Sequence, residues 1–143
     1  MNRRNFLMGT AAVAGVANIS AQAGASDTVH IACVGLRSRG TDHIKAYLKI
    51  HGVEIVALCD IDESILNERV GMVESATGKK PAAYTDFRKL LEDKSIEAVS
   101  IATPNHHHTL QTIWALQAGK HVYVEKPCSH DMFEAKQIVA AAR

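Results

Sequence analysis

The sequence predicts an α/β protein built on a doubly wound parallel sheet. Short apolar runs with strand character alternate with segments whose apolar residues recur at helical spacing, from Val29 almost to Arg143. The first apolar run passes directly into a turn bounded by two glycines, Gly35 and Gly40, and then into a helical pattern. No internal repeat or low-complexity linker divides the sequence after this turn. These three observations together predict this fold class.

The same alternation predicts five strands and five helices. The first strand, residues 29–34, is apolar and free of strand breakers, which is typical of a buried strand. Further strands are predicted at 53–58, 82–85, 96–102 and 122–125. Helices are predicted at 41–50, between Asp62 and Gly78, at 86–91, at 106–118, and from Ser129 or Asp131 onward. Gly52 and Gly78 are expected to end the first two helices, because glycine favours the left-handed conformation found there.

Apolar stripes indicate which face of three helices packs against the sheet. The stripes are Leu66, Val70 and Val73 in the second helix, Leu110, Ile113, Trp114 and Gln117 in the fourth, and Met132, Ala135, Val139 and Ala142 in the fifth. We therefore expect these three faces to be buried.

Composition and charge indicate a globular protein of ordinary domain size. Of its 143 residues, 47% are hydrophobic and 22% are charged, and the formal net charge is +1. So small a charge, with no basic stripe, argues against nucleic acid or an anionic membrane as a partner. The three cysteines, Cys33, Cys59 and Cys128, have no metal-binding spacing, and the first two fall in predicted buried strands.

The first 23 residues are predicted to be an export signal of the twin-arginine type. Arg3 and Arg4 precede a mild apolar stretch that is too short, and too rich in alanine and glycine, to span a membrane. Residues 21–23, Ala-Gln-Ala, supply the pattern of a cleavage site. We therefore expect a periplasmic or otherwise exported protein, no stable membrane insertion after cleavage, and a folded domain over residues 24–143. That domain has 14 basic and 15 acidic residues, a net charge of −1.

The turn after the first strand has the elements of a phosphate-binding site. A helix N-terminus offers unpaired backbone N–H groups and the positive end of the helix dipole, and glycine lets a phosphate approach the backbone. In the full dinucleotide fingerprint, G-x-G-x-x-G, Gly35 and Gly40 occupy the outer positions, but Arg37 replaces the middle glycine. The turn alone is therefore weak support for a nucleotide site.

An acidic residue after the second strand strengthens this interpretation. Asp60 follows Gly40 by twenty residues, where a carboxylate accepts hydrogen bonds from a ribose 2′-hydroxyl and repels a 2′-phosphate. This favours NAD over NADP, although Arg37 or Arg39 can also reach a phosphate. A turn or helix-capping role is the structural alternative for Asp60, and Asp62 can fill that role instead.

The fourth and fifth predicted strands also end in polar residues, Thr103-Pro104-Asn105 and Glu125-Lys126. In open α/β sheets ligands bind outside the carboxyl ends of the strands, so we expect these side chains at one site. A lysine there can shuttle a proton, although an ion pair with Glu125 or a solvated strand end explains it equally well. The three successive histidines at 106–108 cannot face one ligand from a helix, so no metal site is predicted.

Four motifs together resemble the N-terminal half of the Gfo/Idh/MocA oxidoreductase family: VGLRSRG, ALCDID, ATPNHHH and AGKHVYVEKP. The resemblance covers about Thr28 to Arg143 and implies a Rossmann domain that holds NAD or NADP. In this family a substrate domain follows, and the usual reaction oxidises or reduces a secondary alcohol of a sugar, cyclitol or similar polyol. The last predicted helix reaches Arg143 without a C-cap, so we expect this chain to stop before the last strand and the substrate domain. A homo-oligomer is an expectation for the full-length protein.

The resemblance also implies roles for the motif residues. The adenosine and pyrophosphate side would be bound by Gly35, Leu36, Arg37, Ser38, Arg39, Gly40 and Asp60. The nicotinamide ribose would be approached by Thr103, Pro104, Asn105 and His108, and the nicotinamide by Glu125, Lys126 and Pro127. Lys126 would be the catalytic residue that positions or protonates the substrate oxygen.

Two alternatives to an oxidoreductase remain open. One is an NAD-dependent lyase or glycosidase of the same superfamily, in which the cofactor oxidises the substrate transiently. The other is a non-catalytic dinucleotide-binding module, if the chain is complete. The Lys126-Pro127 pair that follows Glu125 favours the dehydrogenase type.

Overall fold

The computed structural model describes residues 28–143 as alternating strands and helices around one sheet. The strands are β1 (Val29–Val34), β2 (Val53–Cys59), β3 (Ala82–Tyr84), β4 (Ala98–Ile101) and β5 (His121–Val124). The helices are α1 (Arg39–Tyr47), α2 (Glu63–Thr77), α3 (Phe87–Glu92), α4 (Asn105–Gln117) and α5 (Met132–Ala141). All ten predicted elements are present, with modest shifts at their ends. The predicted export signal, residues 1–23, lies outside the described residues.

The strands form one parallel sheet in the order β3-β2-β1-β4-β5. β1 is central and pairs with both β2 and β4, with Ile31 opposite Ala98 and Val34 opposite Ile101. The chain therefore winds outward from β1 through β2 and β3 on one side, and through β4 and β5 on the other. A crevice forms at the carboxyl ends of the strands where the order reverses, here between β1 and β4. The doubly wound parallel sheet that the sequence predicts is confirmed.

Two apolar layers cover the two faces of the sheet. Ile31 and Cys33 of β1 pack with residues of β2, α1 and α2, whereas Ala32 and Val34 pack with residues of β2, α3 and α4. This alternation is the period-2 pattern of a strand that is buried on both faces. The stripe predicted for α2 is confirmed, since its buried residues are Leu66, Val70 and Val73.

Aspartate side chains begin three helices and glycine ends one. Asp62, Asp86 and Asp131 each accept a hydrogen bond from a backbone N–H in the first turn of α2, α3 and α5. Gly78 ends α2 in the left-handed conformation, as predicted, with φ 72°. The prediction for Gly52 is wrong, because α1 ends several residues earlier and Gly52 lies in the turn before β2.

The buried face predicted for α4 is only partly right, since Trp114 of the stripe packs against the core. The helix buries His108, Thr109, Thr112 and Ala115, whereas Leu110 of the predicted stripe is 45% exposed. The polar side chains can be buried because most of them have partners: the Thr109 hydroxyl, for example, donates to Glu134 Oε2 at 2.8 Å. Partners so distant along the chain leave no trace in a hydropathy pattern.

The stripe predicted for α5 is also not buried. The helix packs against α4, but none of its residues is buried, and Met132, Phe133 and Val139 are exposed. Among the helices of residues 28–143, none is long and apolar enough to cross a membrane.

Candidate functional site

Two glycines bring α1 close to the sheet at the crevice. Gly35 follows β1 with φ 78°, and a Cβ at this position would lie 2.7 Å from Thr103 N. Gly40 lies in the first turn of α1, and a Cβ there would lie 1.7 Å from Gly35 O. Side chains at either position would push the helix, β1 and the segment after β4 apart. This tight packing also explains why α1 begins at Arg39, two residues before its predicted start.

The N-terminus of α1 is uncapped and strained. Ser38 precedes the helix with φ 38° and ψ −105°, a conformation that is costly for a residue with a side chain. Its hydroxyl makes no capping hydrogen bond to the first turn. The N–H groups of this turn therefore lack a capping side chain, although that of Gly40 donates to Arg37 O at 2.8 Å. A helix N-terminus without a capping side chain can bind an anion.

Two adjoining clefts run along the carboxyl edge of the sheet. The first has a volume of about 580 Å³ and the second about 510 Å³. The two clefts share Arg39, Ala102 and Thr103, so they form one continuous groove. The rest of the first cleft consists of Val34, Gly35, Arg37, Ser38, Cys59, Asp60, Ile61, Asp62, Thr85, Phe87, Pro104, His107 and Gln111. The rest of the second consists of Asn105, His108, Glu125 and Lys126.

The structure thus brings most of the predicted site residues together. Leu36, Gly40 and Pro127 line neither cleft: Leu36 and Gly40 are buried beneath the turn, and Pro127 supports His108. Sequence reasoning assigned no binding role to Ile61, Thr85, Phe87, His107 or Gln111, which belong to no phosphate or ribose motif. The binding roles of the individual residues remain predictions.

Asp60 holds the turn as well as lining the cleft. Its Oδ2 accepts a hydrogen bond from Leu36 N at 2.8 Å, and its Oδ1 accepts one from Asp62 N at 3.0 Å. Each carboxylate oxygen can accept a further hydrogen bond, so Asp60 keeps capacity for a ligand hydroxyl. The binding and turn roles that the sequence left as alternatives are therefore compatible.

Glu125 at the end of β5 is held from α1. Its Oε1 accepts hydrogen bonds from Arg39 Nε at 3.0 Å and from His43 Nε2 at 2.8 Å, and the side chain is only 11% exposed. The hydrogen bond from His43 and then that from Arg39 lower the pKa of Glu125 to about 2. Glu125 is therefore a fixed anion at neutral pH, and its carboxylate is committed to α1.

A chain of hydrogen bonds continues from Glu125 into the interior. His43 Nδ1 lies 2.9 Å from Ser100 Oγ, and the Tyr47 hydroxyl donates to the same oxygen at 3.2 Å. When the His43 proton is on Nε2, the hydrogen bonds all run in one direction. Tyr47 donates to Ser100, Ser100 donates to His43, and His43 donates to Glu125. Sequence reasoning missed this network. One signal in the sequence was available: His43 lies about one helical turn after Gly40, which places it on the face of α1 that packs against the sheet.

His108 joins the segments that follow β4 and β5. One ring nitrogen lies 2.7 Å from Thr103 O and the other 2.8 Å from Pro127 O. Because both partners are carbonyl oxygens, only a doubly protonated ring donates to both. His106 and His107 are exposed, and residues 28–143 contain no group of three or more potential ligands that could hold a metal ion.

Lys126 is the exposed cation of the second cleft. Its backbone N–H donates to Glu125 Oε2 at 3.3 Å, but its ammonium group has no partner within residues 28–143. The predicted alternative of an ion pair with Glu125 is therefore not observed, because Arg39 and His43 occupy that carboxylate. Lys126 thus lines the second cleft, and within residues 28–143 the hydrogen-bonding capacity of its ammonium group is unused.

A parallel doubly wound sheet, with a tight glycine turn and an acidic residue at the next strand end, defines a dinucleotide-binding Rossmann domain. The chain belongs to the Gfo/Idh/MocA family, since the family model described as "Oxidoreductase family, NAD-binding Rossmann fold" matches residues 29–143. The resemblance given by the four sequence motifs is thereby confirmed, and with it NAD as the cofactor of this domain.

Curated relatives and solved structures agree with this assignment. A glycosyl hydrolase family 109 protein of Shewanella pealeana is 37% identical over 81% of this chain and 26% of its own length. An α-N-acetylgalactosaminidase of Shewanella oneidensis is 30% identical over 99% of this chain and 37% of its own length. The chain therefore spans about a quarter to a third of the length of these relatives.

Among solved structures, the apo scyllo-inositol dehydrogenase of Lactobacillus casei is similar, with 27% identity and a TM-score of 0.72. The match covers 81% of this chain and 33% of that enzyme. The WlbA dehydrogenase of Chromobacterium violaceum, solved with NADH and UDP-GlcNAcA, has 26% identity and a TM-score of 0.74, over 81% of this chain and 32% of that one.

Proposed function

We propose that this chain is the nucleotide-binding part of an NAD(P)-dependent oxidoreductase that acts on a secondary alcohol of a sugar, cyclitol or similar polyol. The observation that carries the proposal is the unpartnered ammonium group of Lys126 in the second cleft. A cation at the carboxyl end of β5 can hydrogen-bond to an alcohol or carbonyl oxygen of a substrate. The inositol dehydrogenases among the similar solved structures support the substrate class.

The residues of the first cleft fit a dinucleotide. The uncapped first turn of α1 offers N–H groups to a pyrophosphate, and the glycine at position 35 lets the backbone close tightly beneath it. Asp60 would accept hydrogen bonds from a ribose hydroxyl, and Thr103 and Asn105 would contact the nicotinamide ribose. When bound, the nicotinamide ring supplies the hydride acceptor or donor.

Lys126 would then transfer the proton to or from the substrate oxygen. In oxidation its amine form takes the proton from the hydroxyl group, and in reduction its ammonium form returns the proton to the carbonyl oxygen. Glu125 is unsuited to this task, because its low pKa of about 2 keeps it ionised and its Oε1 already accepts two hydrogen bonds from α1. Its role is to support the backbone from which Lys126 extends.

An NAD-dependent glycosidase is the second candidate. It is favoured by the names of the curated relatives, which are glycosyl hydrolase family 109 proteins and an α-N-acetylgalactosaminidase. In such a reaction the cofactor returns to its starting redox state, so sugar is released without net formation of NADH. An oxidoreductase instead accumulates NADH as it consumes its alcohol.

Two measurements test these proposals. Titration calorimetry of the chain with NAD and NADP tests cofactor binding, and folded protein that binds neither would contradict the proposal. On the protein as its gene encodes it, NADH formation from polyols is compared with release of nitrophenol from nitrophenyl α-N-acetylgalactosaminide. We expect the wild-type protein to form NADH and Lys126→Met to lose this activity. Lys49→Met, which changes an exposed lysine after α1, is the control and should keep it. Nitrophenol release with no NADH would favour the glycosidase.

We also propose that the protein is exported by the twin-arginine route. Arg3, Arg4 and the Ala-Gln-Ala sequence at 21–23 support this proposal, although these residues lie outside the described part of the structure. Fusion of residues 1–27 to a fluorescent protein should direct it to the periplasm. Replacing both arginines by lysine should retain the fusion in the cytoplasm, and unchanged export of that variant would refute the proposed route.

A further inference from the structure

An ion pair occupies the rim of the first cleft beside Asp60. Arg37 stands at the middle glycine position of the fingerprint, and its guanidinium Nη2 donates to Asp62 Oδ2. Both residues line the cleft together with Asp60 and Ile61. The Arg37 side chain is 66% exposed, so its reach into the groove is limited by this partner and not by burial.

Asp62 is also held in place because it caps α2. Its Oδ1 accepts hydrogen bonds from Ser64 N at 3.0 Å and from Ile65 N at 3.2 Å, which caps α2, while its Oδ2 faces Arg37. The hydrogen bond from Ile65 and then that from Arg37 lower the pKa of Asp62, so the carboxylate stays charged. Arg37 is therefore paired with an anion that is anchored to α2.

The charges around this rim disfavour a second phosphate on the ribose. Asp60 and Asp62 contribute two negative charges, and Arg37 contributes one positive charge. The other arginine that lines the cleft, Arg39, is paired with Glu125 and Asp42. A 2′-phosphate carries close to two negative charges and would find no unpaired guanidinium here.

We propose that Asp62 is a residue that determines cofactor specificity. By holding Arg37, Asp62 withholds from NADP the guanidinium that would bind its 2′-phosphate, and it adds a like charge beside Asp60. The inference rests on dinucleotide binding in the first cleft. Discrimination against NADP then depends on two carboxylates, one that accepts from the ribose and one that restrains an arginine.

A double-mutant cycle tests the proposal. Asp62→Asn keeps an oxygen that can cap α2 but removes the charge that holds Arg37. We expect this variant to bind NADP about tenfold more tightly, with NAD affinity changed by less than about twofold, because a released arginine forms a charge-assisted pair with phosphate. Adding Arg37→Gln to Asp62→Asn should abolish most of the gain. Asp62→Ser, a second uncharged cap, should reproduce it.

Asp86→Asn is the matched control. Asp86 also caps a helix through Oδ1 and pairs with an arginine, Arg88, through Oδ2, but it does not line either cleft. Its substitution should leave the ratio of the two affinities unchanged. Calorimetry with 2′-AMP and 5′-AMP isolates the contribution of the 2′-phosphate from that of the rest of the dinucleotide.

Two results would overturn the inference: an unchanged NADP-to-NAD affinity ratio in folded Asp62→Asn, or a gain that persists undiminished after Arg37 is removed. Absence of NAD binding by the wild-type chain would instead contradict dinucleotide binding itself. The two failures are therefore distinguishable.

Discussion

Replacing Gly40 by alanine tests the close packing on which the turn between β1 and α1 depends. The added Cβ would lie 1.7 Å from Gly35 O, whereas ordinary nonbonded contacts are about 3.5 Å or longer. Because Gly35 O belongs to the backbone, no side chain can rotate away to make room. The start of α1 must therefore move by roughly 1.5–2 Å relative to β1.

Two opposing effects set the magnitude. Alanine in a helix gains about 1 kcal/mol over glycine, but overpacking of a tight contact costs about 1–3 kcal/mol or more. Because the contact is with backbone, we expect the cost to lie at the upper end of this range. The net loss in the free energy of unfolding is then about 2 kcal/mol, which lowers Tm by about 10 °C for a domain of this size. NAD affinity should fall at least about tenfold, because the first-turn N–H groups of α1 move with the helix.

Gly71→Ala provides the matched control. Gly71 lies within α2, and a Cβ there would meet nothing within 4 Å. The substitution should raise the free energy of unfolding by about 0.5–1 kcal/mol and leave NAD affinity unchanged. Urea denaturation and titration calorimetry measure both quantities. If Gly40→Ala stabilised the protein as Gly71→Ala does and bound NAD normally, the close contact between α1 and β1 would be refuted.

Three further predictions concern buried polar groups and thiols. Glu125→Gln should be less stable than wild type at about pH 6, and this difference in stability should shrink as pH falls from 4.5 towards 2, because the stabilisation from a carboxylate with a lowered pKa is lost over that range. A difference in thermal denaturation that does not change with pH would contradict this. Thr112→Val should be neutral or stabilising by up to about 1 kcal/mol, because the Thr112 hydroxyl is buried without a hydrogen-bond partner among residues 28–143. A loss of stability in urea denaturation would show that the hydroxyl has a partner. Burial raises the pKa of Cys33 and Cys59 to about 12, whereas Cys128 is exposed. A thiol reagent should therefore label one cysteine in the native protein and all three after denaturation. Fast labelling of a second thiol in the native state would contradict the burial.

The sequence predicts the scaffold and the positions of the strand ends well. Strand β2, the capping residue Asp62 and the terminator Gly78 each depend on local rules of apolar runs, helix capping and left-handed glycine. The location of Asp60, Thr103 and Lys126 at one edge follows from the parallel sheet, because all carboxyl ends lie on the same side.

The sequence does not predict contacts that join distant segments. His43 reaches Glu125 across eighty-two positions, and Thr109 reaches Glu134 across twenty-five, so no local pattern indicates either pair. The buried face of α4 was partly mispredicted for the same reason, since His108 and Thr109 complete their hydrogen bonds only after the segment beyond β5 folds over them.

The position of Glu125 has a mechanical consequence. Arg39 and His43 belong to the helix that follows the glycine turn, and both hold the carboxylate next to Lys126. Hydrogen bonds from one helix therefore connect the glycine turn of the first cleft to the strand end of the second cleft. Productive geometry in an enzyme tolerates errors of about 0.5 Å. Such a connection between the two clefts lowers the entropy that a ligand spanning both clefts would lose on binding.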